Sequence, residues 1–214
     1  MVMMSLLDMV KNATEAERTN QYIFFWKVAD PYGELSQWYI SPFILNGKSF
    51  SNAEQFMMHS KAEIFGDYEM ASTILSGSSN HPAWHKRMGR MVKNFNQTIW
   101  NQMSMDVVII GNLCKFTQNE VLMNILMDTG TSMMVEASPL DNIWGIGFGQ
   151  SDAILNKNAW GLNKLGKALM MVRDIIVCRK MDNTLHPFTD TSDLMMMCKN
   201  VNMNECNIAN MFEN

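Results

Sequence analysis

The chain has 214 residues, 47% hydrophobic and 18% charged, with a formal net charge of -4. That length and apolar content fit one domain with its own core and exclude disorder throughout. The acidic balance argues against a surface that coats nucleic acid without selection.

Four cysteines, Cys114, Cys178, Cys198 and Cys206, lie far apart with no CxxC spacing, so neither a disulfide framework nor a zinc site is expected. No basic-then-apolar leader opens the chain, and no apolar run approaches about 18 residues. These features lead to an intracellular, cytoplasmic protein with no membrane partner. The 23 methionines follow no repeated spacing and read as flexible core filler rather than a metal-binding box.

Residues 1–20 read as a polar lead-in, 21–180 as the domain, and 181–214 as a flexible, Asn-rich tail. Tyr22 to Trp26 reads as a strand. Trp38-Tyr39-Ile40 and Phe43-Ile44-Leu45 continue the β signal, and Asn46-Gly47 turns the chain into Lys48-Ser49-Phe50. Asn52 with Gln55 has capping-box spacing ahead of a helix over 53–65. Further helices are expected over 67–76, 82–93, 94–117 and 119–128, and a short strand over 133–136. Residues 137–149 carry too much Gly and Pro for a regular element. Ser151 or Asp152 is expected to cap the next helix. The last helix, 163–178, aligns Leu165, Leu169, Val172 and Ile176 on one face.

Three segments carry candidate chemistry. Glu54 and Lys61 lie two turns apart on one helical face, with Met57 and Met58 between them. A carboxylate and an amine amid apolar neighbours are costly unless paired or used. The same pattern also suits a surface helix with both charges in water. Lys86, Arg90 and Lys93 form a basic stripe able to hold pyrophosphate, or simply a solvated face. His81 and His85 have i,i+4 spacing but no Glu or Cys nearby, which leaves little for zinc. In the loop, Glu136, Asp141 and Trp144 stand beside Gly145 and Gly147. The indole can stack on a base and glycines admit phosphate, although a structural loop plugged by Trp144 has the same composition.

Taken in order, these segments resemble a NADAR domain of the YbiA-like superfamily. The resemblance runs from about residue 22 to 175. It is carried by Leu35-Ser36, Trp38-Tyr39, Glu54-Gln55-Phe56-Met57-Met58, Lys61-Ala62, Gly89-Arg90, Lys115-Phe116, Val135-Glu136-Ala137-Ser138-Pro139, Ile143-Trp144-Gly145-Ile146-Gly147 and Trp160-Gly161-Leu162-Asn163. It implies a compact, mostly helical α+β domain with a small β element, and an N-glycosidase without cofactor or metal. The implied ligand is ADP-ribose or a ribosylated nucleobase. One branch hydrolyses phosphoribosyl-aminopyrimidine intermediates of riboflavin synthesis, and another removes ADP-ribose from guanine in nucleic acid.

On that resemblance Glu54 is the first candidate carboxylate, with Glu136 or Asp141 the second. Lys61 either attacks the opened sugar as a neutral amine or donates a proton, according to whether burial or the charge of Glu54 governs its pKa. Arg90, and Lys86 with it, would face phosphate, Trp144 would stack on a base, and Gly145 and Gly147 would allow close approach. Asn163 would hold a sugar hydroxyl or fix the loop, and Ser36 would bond the ligand or cap the β segment. The competing classes are a module that binds NAD or ADP-ribose without hydrolysis, and a scaffold that uses the tail.

Overall fold

The computed structural model describes residues 22–77, 81–181 and 183–191. In chain order these form β1 (Tyr22–Phe25), β2 (Phe43–Leu45), β3 (Lys48–Phe50), α1 (Ala53–Ile64), α2 (Tyr68–Ser76), α3 (Pro82–Gly89), α4 (Gln97–Thr117), α5 (Glu120–Asp128), β4 (Met133–Glu136), α6 (Gln150–Ala153) and α7 (Lys164–Met181). Short 3-10 turns cover Gly33–Leu35 and Lys157–Ala159. The fold is α+β and mostly helical.

Helix α4 is the axis of the core. From Val107 to Thr117 it is buried all round, as expected of a helix packed on every side. Helix α1 lies against α2, α3 and α4, while α7 lies against α4 and β4. The face of α7 read from the sequence, Leu165, Leu169, Val172 and Ile176, is buried in this core.

Two small sheets flank the helices. β1 pairs in parallel with β4, Tyr22 opposite Met133 and Phe25 opposite Glu136, so two distant segments meet at the end that carries Glu136. β2 and β3 form an antiparallel hairpin. Its turn places Asn46 and Gly47 at φ 49° and 72°, the left-handed pair that a tight hairpin requires.

Several local expectations are corrected. Trp38–Ile40 is not a strand. Ser36 accepts from the Trp38 N–H through Oγ and from the Tyr39 N–H through its carbonyl, and this turns the chain before pairing can start. The capping box at Asn52 is altered. Asn52 caps the Gln55 N–H, but the Gln55 amide oxygen takes the Ser51 N–H. Helix α3 ends at Gly89 because Asn94 adopts φ 56° and Asn96 begins a new cap, accepting from the Thr98 and Ile99 N–H groups. Ser151 and Asp152 lie inside α6, whose N-cap is Gly149 with no side-chain cap.

Residues 183–191 lie against the hairpin and the end of α4. Phe188 is buried, its N–H donates to the Thr117 hydroxyl, and its carbonyl accepts from the Gln118 amide. The rest of the expected tail, 192–214, and the lead-in lie outside the described residues.

Asn163 pins β4 from outside the sheet. It sits at φ 49°, accepts from the Glu136 N–H at 3.0 Å and donates to the Met134 carbonyl at 2.9 Å. Replacing it with Ala removes both bonds and puts a residue that tolerates the left-handed region less well than Asn at that φ. Asn163→Ala should lower unfolding stability by roughly 2–4 kcal/mol in urea titration. Asn163→Gly relieves only the conformational part and should fall between the two.

Candidate active site

Helix α1 enters the core N-terminus first, and its first turn carries Glu54. The Glu54 N–H donates to the Gln37 carbonyl at 3.1 Å, which docks α1 on the 33–38 turn. That turn is held from behind by α4. Lys115 is fully buried, and its ammonium donates to the carbonyls of Glu34 at 2.6 Å and Ser36 at 2.9 Å. One turn away, Asn112 donates to the Gln37 side chain at 3.0 Å. Burial holds the Lys115 ammonium down to about 7, with the Glu34 carboxylate partly opposing the shift.

The turn, α1, α3 and the 137–145 loop enclose a cavity of about 210 Å3. Ser36, Glu54, Lys61, Arg90, Glu136, Asp141 and Trp144 all line it, together with Gln37, Trp38, Met57, Met58, Lys86 and Trp100. Residues from five separate stretches of sequence thus converge. An outer chamber of about 530 Å3 continues from it. The two share Ser36, Trp38, Lys86, Arg90, Glu136 and Asp141, and the outer one adds Trp26, Lys27, Val28, Ser138 and Leu140.

Three expected site residues line neither chamber. Asn163 spends both amide atoms on β4. Gly145 packs under the loop, where a Cβ would meet the Glu136 carbonyl at 2.8 Å and the Asp141 carbonyl at 2.9 Å. It lets the backbone close on itself. Gly147, at φ 77°, turns the chain beside Asn142. The basic stripe divides as well. Lys86 and Arg90 face the chambers, while Lys93 pairs with Glu69 at 3.0 Å. His81 caps its own helix through the Ala83 N–H, and His85 is buried.

The carboxylates differ in their surroundings. Burial pushes Glu54 up to about 7, opposed by Lys86 and by a hydrogen bond from the Trp38 side chain. Burial, then repulsion from Asp141, pushes Glu136 up to about 8. Glu136 Oε2 is buried and has no hydrogen-bond partner among the described residues. Asp141 is tied to the loop, its Oδ1 accepting from the Ile143 and Trp144 N–H groups at 2.9 and 2.8 Å. It therefore fixes the loop backbone at Trp144.

Lys61 donates to the Gly89 carbonyl at 2.8 Å and lies 4.0 Å from the centre of the Phe95 ring. Burial and the charge of Arg90 both hold its ammonium below the ordinary lysine range. The neighbouring charge that bears on it is repulsive Arg90, not attractive Glu54. Ser36 lines both chambers while its Oγ accepts from the Trp38 N–H.

Sequence reasoning does not single out Trp38, Gln37, Trp100 or Lys115 as functional. Trp38 reads as a strand residue and Lys115 falls within the helix expected over 94–117, and only the packing of α4 behind the turn gives either a role.

The raised carboxylates make the pH dependence of stability a direct readout. The folded state keeps protons on Glu54 and Glu136 that the unfolded chain releases near 4.5, so each group lowers stability as pH rises from about 4.5 to about 7 and 8 respectively. Glu54→Gln and Glu136→Gln should each be more stable than wild type at pH 8.5. The gap should close by pH 4.5 in denaturant titrations run across that range.

Comparison with known proteins places this geometry. The family model described as NADAR domain matches residues 24–177. The chain is 42% identical over 166 residues to "N-glycosidase R617" of Acanthamoeba polyphaga mimivirus, covering 73% of this chain and 96% of that one. It is 26% identical over 154 residues to "Riboflavin biosynthesis protein VVA0006" of Vibrio vulnificus, covering 72% of this chain and 38% of that longer one. Among solved structures, the NMR structure of the E. coli protein YbiA matches with a TM-score of 0.63 and 26% identity, over 76% of this chain and 88% of that one.

Proposed function

This chain belongs to the NADAR domain family and is an N-glycosyl hydrolase, and we propose that the bond it cleaves joins a phosphorylated ribose to a nucleobase nitrogen. The observation that carries this reading is the inner cavity: a buried carboxyl, Glu54, a depressed amine, Lys61, and two cations, Lys86 and Arg90, around one space.

Breaking a ribose–nitrogen bond builds positive charge at C1′. A carboxylate that faces C1′ in a site of low polarity stabilises that charge strongly. Glu54 suits this task because a donor-only indole N–H from Trp38 holds it as an acceptor. Lys86 and Arg90 stand at the waist between the chambers, where they would bind phosphate and orient the sugar. Trp144 lines the inner cavity and offers its indole to the ligand, and Asp141 fixes the loop backbone that carries it. Lys61 has a depressed pKa from two causes acting together, which favours a neutral amine. Such an amine can bond to C1′ of the opened sugar as an imine that water then releases.

Two substrate classes fit this chemistry. One is a phosphoribosyl-aminopyrimidine, and a relative named as a riboflavin biosynthesis protein supports it. The other is ADP-ribosylated guanine in nucleic acid, for which the larger outer chamber leaves room.

The test is to incubate the protein with each substrate and follow release of base and sugar by mass spectrometry. Wild type should turn over at least one. Glu54→Gln and Lys61→Ala should each lose about 10^2- to 10^4-fold in kcat while circular dichroism stays native. Turnover of neither substrate by wild type, or full activity in both variants, overturns the reading.

A further inference from the structure

The two buried glutamates are not equivalent, and their hydrogen bonds show how. An indole N–H can only donate, so its bond to Glu54 favours the ionised carboxylate there. No donor within the described residues reaches Glu136 Oε2, although that oxygen is buried. An unpartnered buried oxygen is expensive as an anion and much cheaper as the O–H of a neutral acid. The proton shared by this site therefore belongs on Glu136. The charged groups bearing on it agree: Asp141 and Glu54 repel a second negative charge, and only Lys86 favours one.

The placement of Glu136 gives that proton a use. Glu136 stands on the wall common to the inner and outer chambers, whereas Glu54, Lys61 and Trp144 line only the inner one. The outer chamber has the larger volume. Its own walls are Trp26, Val28 and Leu140 with the polar Ser138 and Lys27, the Lys27 ammonium lying over the Trp26 ring at 4.6 Å. Flat heterocycles suit such walls.

We propose that Glu136 is the general acid for the departing base, and that the outer chamber is the site which receives that base as the sugar stays in the inner one. This rests on the N-glycosidase reading above. As the C1′–N bond breaks, its electron pair passes to the nitrogen of the base, and the Glu136 carboxyl proton goes to that nitrogen or to a conjugated ring atom. The oxygen of a water molecule then bonds to C1′, directly or by releasing a Lys61 imine, and the water's surplus proton restores Glu136. The sum is one glycoside and one water giving one free sugar and one free base. The class of ligand assigned to the outer chamber is a neutral nitrogen heterocycle that needs a proton in order to leave.

The experiment compares leaving groups on a common sugar. Ribosyl 5′-phosphates are prepared with aglycones graded in how far they need protonation, from nicotinamide, which departs neutral without a proton, to aminopyrimidine and guanine. Wild type, Glu136→Gln and Glu136→Asp are assayed, with thermal melting to confirm folding. Glu136→Gln should lower kcat about a hundredfold or more on the neutral bases. Its loss on the nicotinamide glycoside should stay within about tenfold, so its rates depend far more steeply on the leaving group. Glu136→Asp, which keeps an acid, should recover part of the loss on the neutral bases only. Equal losses across the series, or no loss, overturn the proposal while leaving N-glycosidase activity standing. A wild type inactive on every member and on the ADP-ribosyl counterparts of the same bases overturns both.

Discussion

A buried ammonium without a carboxylate partner sets the geometry of this site. Lys115 is sealed in the core and is satisfied by two backbone carbonyls, those of Glu34 and Ser36. Such a charge tolerates little displacement, because each lost bond leaves it exposed to an apolar medium. The 33–38 turn therefore cannot drift from α4. The rest of the site is built on that fixed point. The Gln37 carbonyl receives the first turn of α1, the Trp38 side chain reaches Glu54, and Ser36 forms the waist between the chambers.

The electrostatic consequence is a site built against its own relaxation. Two carboxyls are pushed above their ordinary range, and two amines, Lys61 and Lys115, sit below theirs. All four shifts have burial as their leading cause. Glu54 and Glu136, pushed up to about 7 and about 8, can give or take protons at little cost near neutral pH. Residues that line neither chamber hold the framework around these groups. Asn163 fastens β4 under Glu136, and Arg173 fastens the preceding turn through Thr129 and Ser132.

Features that depend on near neighbours are legible in the sequence. The Asn46-Gly47 hairpin, the Asn52 cap and the apolar face of α7 each depend on residues within a few positions of one another. The candidate residues Glu54, Lys61, Arg90, Glu136, Asp141 and Trp144 are legible as residue types in suggestive company, and the ordered segments as a family pattern. Long-range partnership is not legible. Trp38 looks like a strand residue until Ser36 turns the chain under it. Asn163 looks like a ligand-facing amide until β4 takes both of its polar atoms. By sequence the pKa of Lys61 is a contest between burial and Glu54, yet the charge beside it is Arg90. Glycine is misleading in the same way, since Gly145 admits backbone oxygens and not phosphate.

The buried ring of Phe188 bears on where this folding unit ends. The family pattern stops at residue 177, yet the returning segment 183–191 plugs the core beside Thr117 and Gln118, immediately after Lys115 on the same helix. A fragment trimmed to the matched region would lose the buried Phe188 ring and its bonds to Thr117 and Gln118, at the end of the helix that braces the 33–38 turn. The smallest autonomous version of this enzyme is thus longer than the pattern shared with its relatives.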